Sequence, residues 1–269
     1  MRLVVIILFL LTASWLSGQN GKYPMGAKNA ALGGASTTVG DQWSVFNNVG
    51  ALALSKENIA FTSYQNRFAI SEFQVMGAGY VHHLSKATLA VGFYRFGDEL
   101  FSEQRVNLAI GHKLDRVSLG ISLDYLQYNI STVGTKGAIL FEFGGVAEIT
   151  NKIQFGAHIF NVNQAELGTD TNEKLPTVMK AGLSFRPTSD LMINLESEKD
   201  LDFDEVFRLG LEYRIIENVF FRTGFSTSPF NGVFGAGFYP KQFQFDYAFS
   251  NDTNLGSIHE ISVSYLLKK

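Results

Sequence analysis

The sequence predicts an all-β chain: a single antiparallel transmembrane β-barrel of about 14 strands with an N-terminal hatch segment in its lumen. Three observations predict it. From Asn58 onward, apolar side chains alternate with polar or small ones in segments of roughly ten residues, separated by turns. Residues 1–18 read as a cleaved secretory signal. Residues 19–57, between the two, do not alternate.

The signal has one early cation, Arg2, an apolar run from Leu3 to Leu11, and the small residues Ser17 and Gly18. That run is too short for a membrane helix, which needs about 20 apolar residues. No cysteine follows it, and the chain has none at all, so neither a lipid anchor nor a disulfide framework is available. Loss of residues 1–18 removes Arg2 and leaves 251 residues with 21 Lys+Arg against 25 Asp+Glu, a net of −4. That balance excludes a nucleic-acid partner. Twenty-four Phe, 10 Tyr and 26 Gly supply strand formers and tight-packing residues in place of helix formers. A secreted sandwich is the competing architecture, but so many strands in one domain close more readily into a barrel.

The expected strands are 58–64, 71–84, 87–96, 100–114, 116–128, 137–150, 152–161, 174–186, 190–198, 203–215, 218–226, 231–239, 241–250 and 258–268. In the thirteenth, Phe243, Phe245, Tyr247 and Phe249 share one face and Gln242, Gln244, Asp246 and Ala248 the other. The fifth sets Val117, Leu119, Ile121, Leu123 and Tyr125 against Ser118, Gly120, Ser122 and Asp124. The tenth sets Phe207, Leu209, Leu211, Tyr213 and Ile215 against Arg208, Gly210, Glu212 and Arg214. Connections after even-numbered strands are tight, as at Ser85–Lys86, Asp115, Asn151 and Pro240. Those after odd-numbered strands are longer at Asn129–Lys136, Val162–Glu173 and Asn251–Ser257. In an outer-membrane barrel the short turns face the periplasm, which places both chain ends there.

Residues 19–57 are rich in glycine and small residues. Met25–Ala35 reads MGAKNAALGGA, and Gly40–Ala53 reads GDQWSVFNNVGALA. This pair resembles the N-terminal signature of the fatty-acid-transporter (FadL-like) barrels and their PorV and PorQ relatives. Gly26, Ala27, Ala30, Ala31, Leu32, Gly33, Gly34 and Ala35 match its first part. Asp41, Ser44, Asn47 or Asn48, Gly50 or Ala51, and Leu52–Ala53 match the second, with Val49 where the family has proline. The resemblance implies a hatch inside a fourteen-stranded barrel. The last segment resembles the C-terminal strand read by the barrel-insertion machinery, although Leu266–Lys269 replaces the usual terminal aromatic, so that recognition would rest on Tyr265.

Physics also calls for a plug, because a barrel this wide is not filled by its own side chains. Inward Gly120, Gly210, Gly224 and Ala248 leave room for one. Arg208, Glu212, Arg214, Arg222 and Asp246 are expected as lumen charges that hydrogen-bond the hatch backbone, or else merely solvate the lumen.

No catalytic constellation is legible. His82 and His83 fall on opposite faces of one strand, with no cluster to complete a metal site. Glu196, Glu198, Asp200, Asp202, Asp204 and Glu205 gather around an expected extracellular turn, read as a solvated loop rather than a calcium site. The chain is read as a non-enzyme without cofactor or metal, surrounded by outer-membrane lipid of a Gram-negative bacterium. Two functions follow from the resemblance. One is a PorV/PorQ-like accessory or docking subunit with a protein partner in a secretion or surface-assembly complex. The other is a FadL-like channel for a hydrophobic ligand. The polar loop Val162–Glu173 favours the first, since a capture site needs apolar loops.

Overall fold

The computed structural model describes residues 24–168, 173–252 and 255–267. Fourteen strands form a closed antiparallel barrel. They are β1 (Asn58–Arg67), β2 (Ile70–His83), β3 (Thr88–Gly97), β4 (Phe101–Leu114), β5 (Val117–Ile130), β6 (Gly134–Glu148), β7 (Ile153–Phe160), β10 (Val178–Phe185), β11 (Leu191–Asp200), β12 (Val206–Ile216), β13 (Val219–Thr227), β14 (Phe230–Phe238), β15 (Phe243–Asp252) and β16 (Gly256–Leu267). The two-residue strands β8 (Glu166–Leu167) and β9 (Glu173–Lys174) pair only with each other, in the connection between β7 and β10. Every barrel strand pairs with its sequence neighbours, and β1 closes the ring on β16 from Asn58↔Leu267 to Arg67↔Ile258. Closure leaves no sheet edge, so the backbone polar groups find partners within the wall.

The alternation separates two environments. On β5, Leu119, Ile121, Leu123 and Tyr125 are exposed outward, whereas Ser118, Ser122 and Asp124 are buried. Tyr213 and Ile215 on β12, and Phe243, Phe245 and Tyr247 on β15, also face outward. A soluble fold would hide this many large apolar side chains; a ring of them around a barrel suits lipid.

Two expected loops are shorter than predicted, because strand takes up their ends. β5 runs to Ile130 and β6 starts at Gly134, while β15 runs to Asp252 and β16 starts at Gly256. Cross-strand pairing continues there, down to Ile130↔Gly134 and Asp252↔Gly256. Alternation marks only the lipid-facing band, whereas hydrogen bonding extends a hairpin past it, where both faces are polar. The expected strand 174–186 is shorter than its pattern, because Leu175 to Thr177 belong to the connection and β10 starts at Val178.

The interior is filled from the N-terminal side. Helix α1 (Ala27–Ala31), helix α2 (Ser44–Asn47) and a 3-10 turn (Val49–Leu54) lie within the ring. Trp43, Phe46, Val49 and Leu52 are fully buried against Ile59, Phe61, Val81 and Tyr94 of the wall. The Trp43 and Phe61 rings meet edge-on with centroids 4.6 Å apart, a favoured aromatic geometry. The apolar core therefore belongs to the inner segment and the strands that face it.

Candidate functional site

The inner segment touches inward positions right round the ring. Its 3-10 turn packs on β3, β4, β5, β6 and β7, and α1 packs on β13, β14, β15 and β16. Thr37 lies against Gly156 of β7 and Gly182 of β10, and Leu32 against Gly210 of β12. Asn194 of β11 donates to the Ala35 carbonyl, and Met25 and Trp43 lie beside Gly77 of β2. Phe61 of β1 completes the circuit.

Small residues make this contact possible. A Cβ on Gly50 would lie 2.1 Å from the Gly145 nitrogen of β6. Gly33 has φ +66 and would place a Cβ 2.7 Å from the Phe225 nitrogen of β13. Both sites admit only glycine without displacement of backbone.

The remaining motif residues tie the segment to itself. Gly26 begins α1 with φ +91, directly over the Trp43 ring. The side chain of Asn47 donates to the Met25 carbonyl and accepts from the Met25 amide, both at 2.9 Å. Asn48 donates to the Thr37 carbonyl at 2.5 Å and accepts from the Gly50 amide at 2.9 Å. Asp41 accepts from the Trp43 amide at 2.9 Å and pairs with Lys28 at 3.4 Å. Burial raises the Asp41 carboxyl above its ordinary value, with Lys28 and the Trp43 amide opposing. Leu32 is buried with Val39 and Met192, while Ala30 and Gly34 face an open space.

Three charge networks line the lumen. Arg222 bonds Glu212 at 2.6 Å, Asp246 at 2.7 Å and the Tyr239 hydroxyl at 2.9 Å. Arg208 pairs with Glu196 at 3.4 Å and Glu198 at 2.8 Å, and Lys180 reaches Glu198 at 3.0 Å. Arg105 pairs with Glu142 at 3.3 Å, and Glu142 also meets His158 at 2.9 Å. The Arg105 guanidinium sits 5.5 Å from the Phe46 ring centroid, a cation–π contact to the inner segment.

These networks correct the expected role of the lumen charges. Among the described residues, the hydrogen bonds and ion pairs of Arg208, Glu212, Arg222 and Asp246 go to other barrel side chains rather than to the segment's backbone. A buried guanidinium is best matched by a carboxylate, and strand pairing supplies one nearby. Arg214, near the end of β12, is half-exposed and bonded to Asp190 of the turn between β10 and β11.

The acidic cluster is corrected too. Glu196, Glu198 and Asp200 are on β11, where Glu196 is 4% exposed and meets the inner segment; only Asp202, Asp204 and Glu205 occupy the following turn. Glu196 Oε2 accepts from the amides of Ser36 and Thr37 and from the Thr37 hydroxyl. Sequence reasoning also passed over Arg105, Glu142 and His158. Their inward parity was legible, since Glu142 stands between Phe141 and Phe143, but which strands would bring them together was not.

Above the segment, on the rim formed by the odd-to-even connections, a cavity of about 420 Å³ remains. Ala30, Gly33 and Gly34 form its floor, Val178, Val206 and Val233 its apolar walls, and Phe68, Phe203 and Leu255 of three rim turns its upper edge. Beside it the described parts of the next connection, 161–168 and 173–177, fold inward. Leu167 and Leu175 pack on Leu126, Leu140, Phe160 and Val178, and the Asn161 side chain bonds the loop's own backbone. The loop is thus less polar in contact than in composition, because its two leucines turn toward the lumen.

Among solved structures, the chain resembles the CymD monoaromatic hydrocarbon channel with TM-score 0.70 and 13% identity, over 93% of this chain and 99% of that one. It resembles the P. putida toluene transporter TodX with TM-score 0.67 and 11% identity, over 93% of this chain and 100% of that one. A Pseudomonas aeruginosa FadL homologue gives TM-score 0.64 and 11% identity, over 91% of this chain and 98% of that one. The fold is FadL-like. No family model and no curated protein matches the sequence, so the FadL-like barrel is a likeness of architecture at low identity. Among the described residues no group of three or more His, Asp or Glu side chains is placed to hold a metal ion. His83 instead bonds Thr88 beside the turn that follows β2.

Proposed function

We propose that the chain is an outer-membrane channel for small hydrophobic molecules, with the segment that ends at residue 57 serving as its hatch and with the rim of the even-to-odd turns and both chain ends in the periplasm. The observation that carries this reading is the stacking of two features in one lumen. A largely apolar cavity opens toward one rim, and beneath it the inner segment meets the wall all the way round. A hydrophobic solute held in that cavity is screened from the opposite rim until the segment moves. FadL-like architecture supports the same reading, since the solved neighbours are named as hydrocarbon channels and a toluene transporter. Binding and passage are the chemistry we assign. Planar-bilayer recording tests closure: the mature chain should give no steady large conductance, and removal of residues 19–57 should create it. Uptake of toluene by cells with and without the protein tests passage: loss of the protein should reduce it.

A second reading, a PorV/PorQ-like docking subunit of a secretion or surface-assembly complex, draws support from the rim. Five of its connections, 68–69, 98–100, 131–133, 201–205 and 228–229, are only two to five residues long, which leaves little chain for ligand capture. Phe230, 80% exposed beside one of them, offers an anchor for a protein. Recovery of a stoichiometric envelope partner, with uptake unchanged on loss of the protein, would favour this reading over the channel.

A further inference from the structure

Resting on the channel reading, we infer that the cavity takes neutral or cationic amphiphiles and rejects anionic ones such as free carboxylates. The reason is the balance of charge on its lining. Among the described residues it carries two guanidiniums, Arg67 and Arg208, against five carboxyl groups, Glu198, Asp200, Asp204, Asp252 and Glu260.

The guanidiniums are already engaged. Arg208 reaches the cavity floor beside Gly34, but its two terminal nitrogens bond Glu196 and Glu198. Arg67 bonds Gln65, and Gln65 in turn donates to Glu260 at 2.8 Å. An incoming carboxylate would have to displace one of these partners and would still enter a space lined by Asp200 and Asp204. An ammonium or hydroxyl head group meets acceptors there instead, while Val178, Val206 and Val233 take its apolar tail. Walls of low polarity strengthen this discrimination, because a charge in such a space is poorly screened. At about 420 Å³ the cavity is of the size that holds one small ligand.

Three water-soluble probes with the same tail separate the outcomes: hexylammonium, hexanol and hexanoate, titrated calorimetrically at pH 7 into the full mature chain in nanodiscs, with empty nanodiscs as blank. Hexylammonium should bind at least tenfold more tightly than hexanoate, with hexanol between them. The double variant Asp200→Asn/Asp204→Asn should narrow that gap by weakening the amine and strengthening the acid, with hexanol unchanged. Hexanoate binding as tightly as hexylammonium, or a variant that shifts all three probes alike, would overturn the charge assignment while leaving the channel reading standing. Binding of none of the three would overturn both.

Discussion

Glu196 on β11 and Thr37 in the inner segment are 159 residues apart in sequence, yet Glu196 Oε2 accepts from the Thr37 amide at 2.8 Å and from its hydroxyl at 2.5 Å. The Ser36 amide adds a third bond at 2.8 Å, and Arg208 and Lys180 flank the other carboxylate oxygen. One buried carboxylate thus joins the wall, the segment and the cavity's own arginine.

Glu196→Ala should loosen the segment. The Ser36 and Thr37 amides and the Thr37 hydroxyl lose their acceptor, at about 1–3 kcal/mol for a buried group left unpaired, while Arg208 and Lys180 keep Glu198. Glu196→Gln, which keeps an acceptor, should cost less. Bilayer recordings should show frequent openings in the alanine variant, fewer in the glutamine variant and fewest in the wild type; equal traces for all three would deny Glu196 this role.

A reversible lock should stop transport. A Cβ on Gly182 would lie 3.3 Å from the Thr37 Cβ, close to the separation a disulfide bridges, and the chain has no cysteine of its own. Thr37→Cys/Gly182→Cys should take up solute when reduced and stall when oxidised. Undiminished uptake in the oxidised form would show that passage does not require the segment to move away from β10.

Gly50→Ala should impair assembly, because its methyl would enter the backbone of Gly144 and Gly145, and overpacking of this kind costs about 1–3 kcal/mol or more. Gly232→Ala is the control, since a Cβ there meets nothing within 4 Å. Heat-modifiable migration on gels should reveal a folded fraction that falls for the first and stays level for the second.

Acid should tighten the segment at Asp41. Its folded carboxyl is raised by burial above the ordinary 3.8, so between 3.8 and that raised value the folded state holds more protons than the unfolded one. This group's contribution to stability is therefore fully present below 3.8 and is lost as pH rises through the folded value. Protease cleavage within residues 24–57 should slow on acidification across that window, and Asp41→Asn should remove this component. An unchanged pH profile in the variant would exclude Asp41 as its source.

Much of the wall was legible one residue at a time. Tyr213 and Phe245 declared their outward side by parity, and fourteen segments could be counted from their turns. Strand ends were not legible, because pairing from Asn129↔Thr135 to Ile130↔Gly134 depends on the partner strand rather than on any local pattern. In the site, the break in alternation and the glycines marked residues 19–57 as something other than wall. Their side-chain partners stayed hidden, since Glu196 looks from sequence like one more member of an acidic turn.

By itself, the sequence determined which strand faces meet an apolar surrounding, that about fourteen strands make the wall, and where the wall begins at Asn58. These are local consequences of a two-residue period and of turn-forming residues. The closed ring of fourteen came from the pairing. Tertiary structure alone decided which inward charges neutralise one another, that Glu196 rather than Arg208 binds the segment's backbone, and that an acid-rich apolar cavity remains above it. Those choices depend on strands distant in sequence being brought side by side around a ring, and buried charges take whichever partner that ring places within reach.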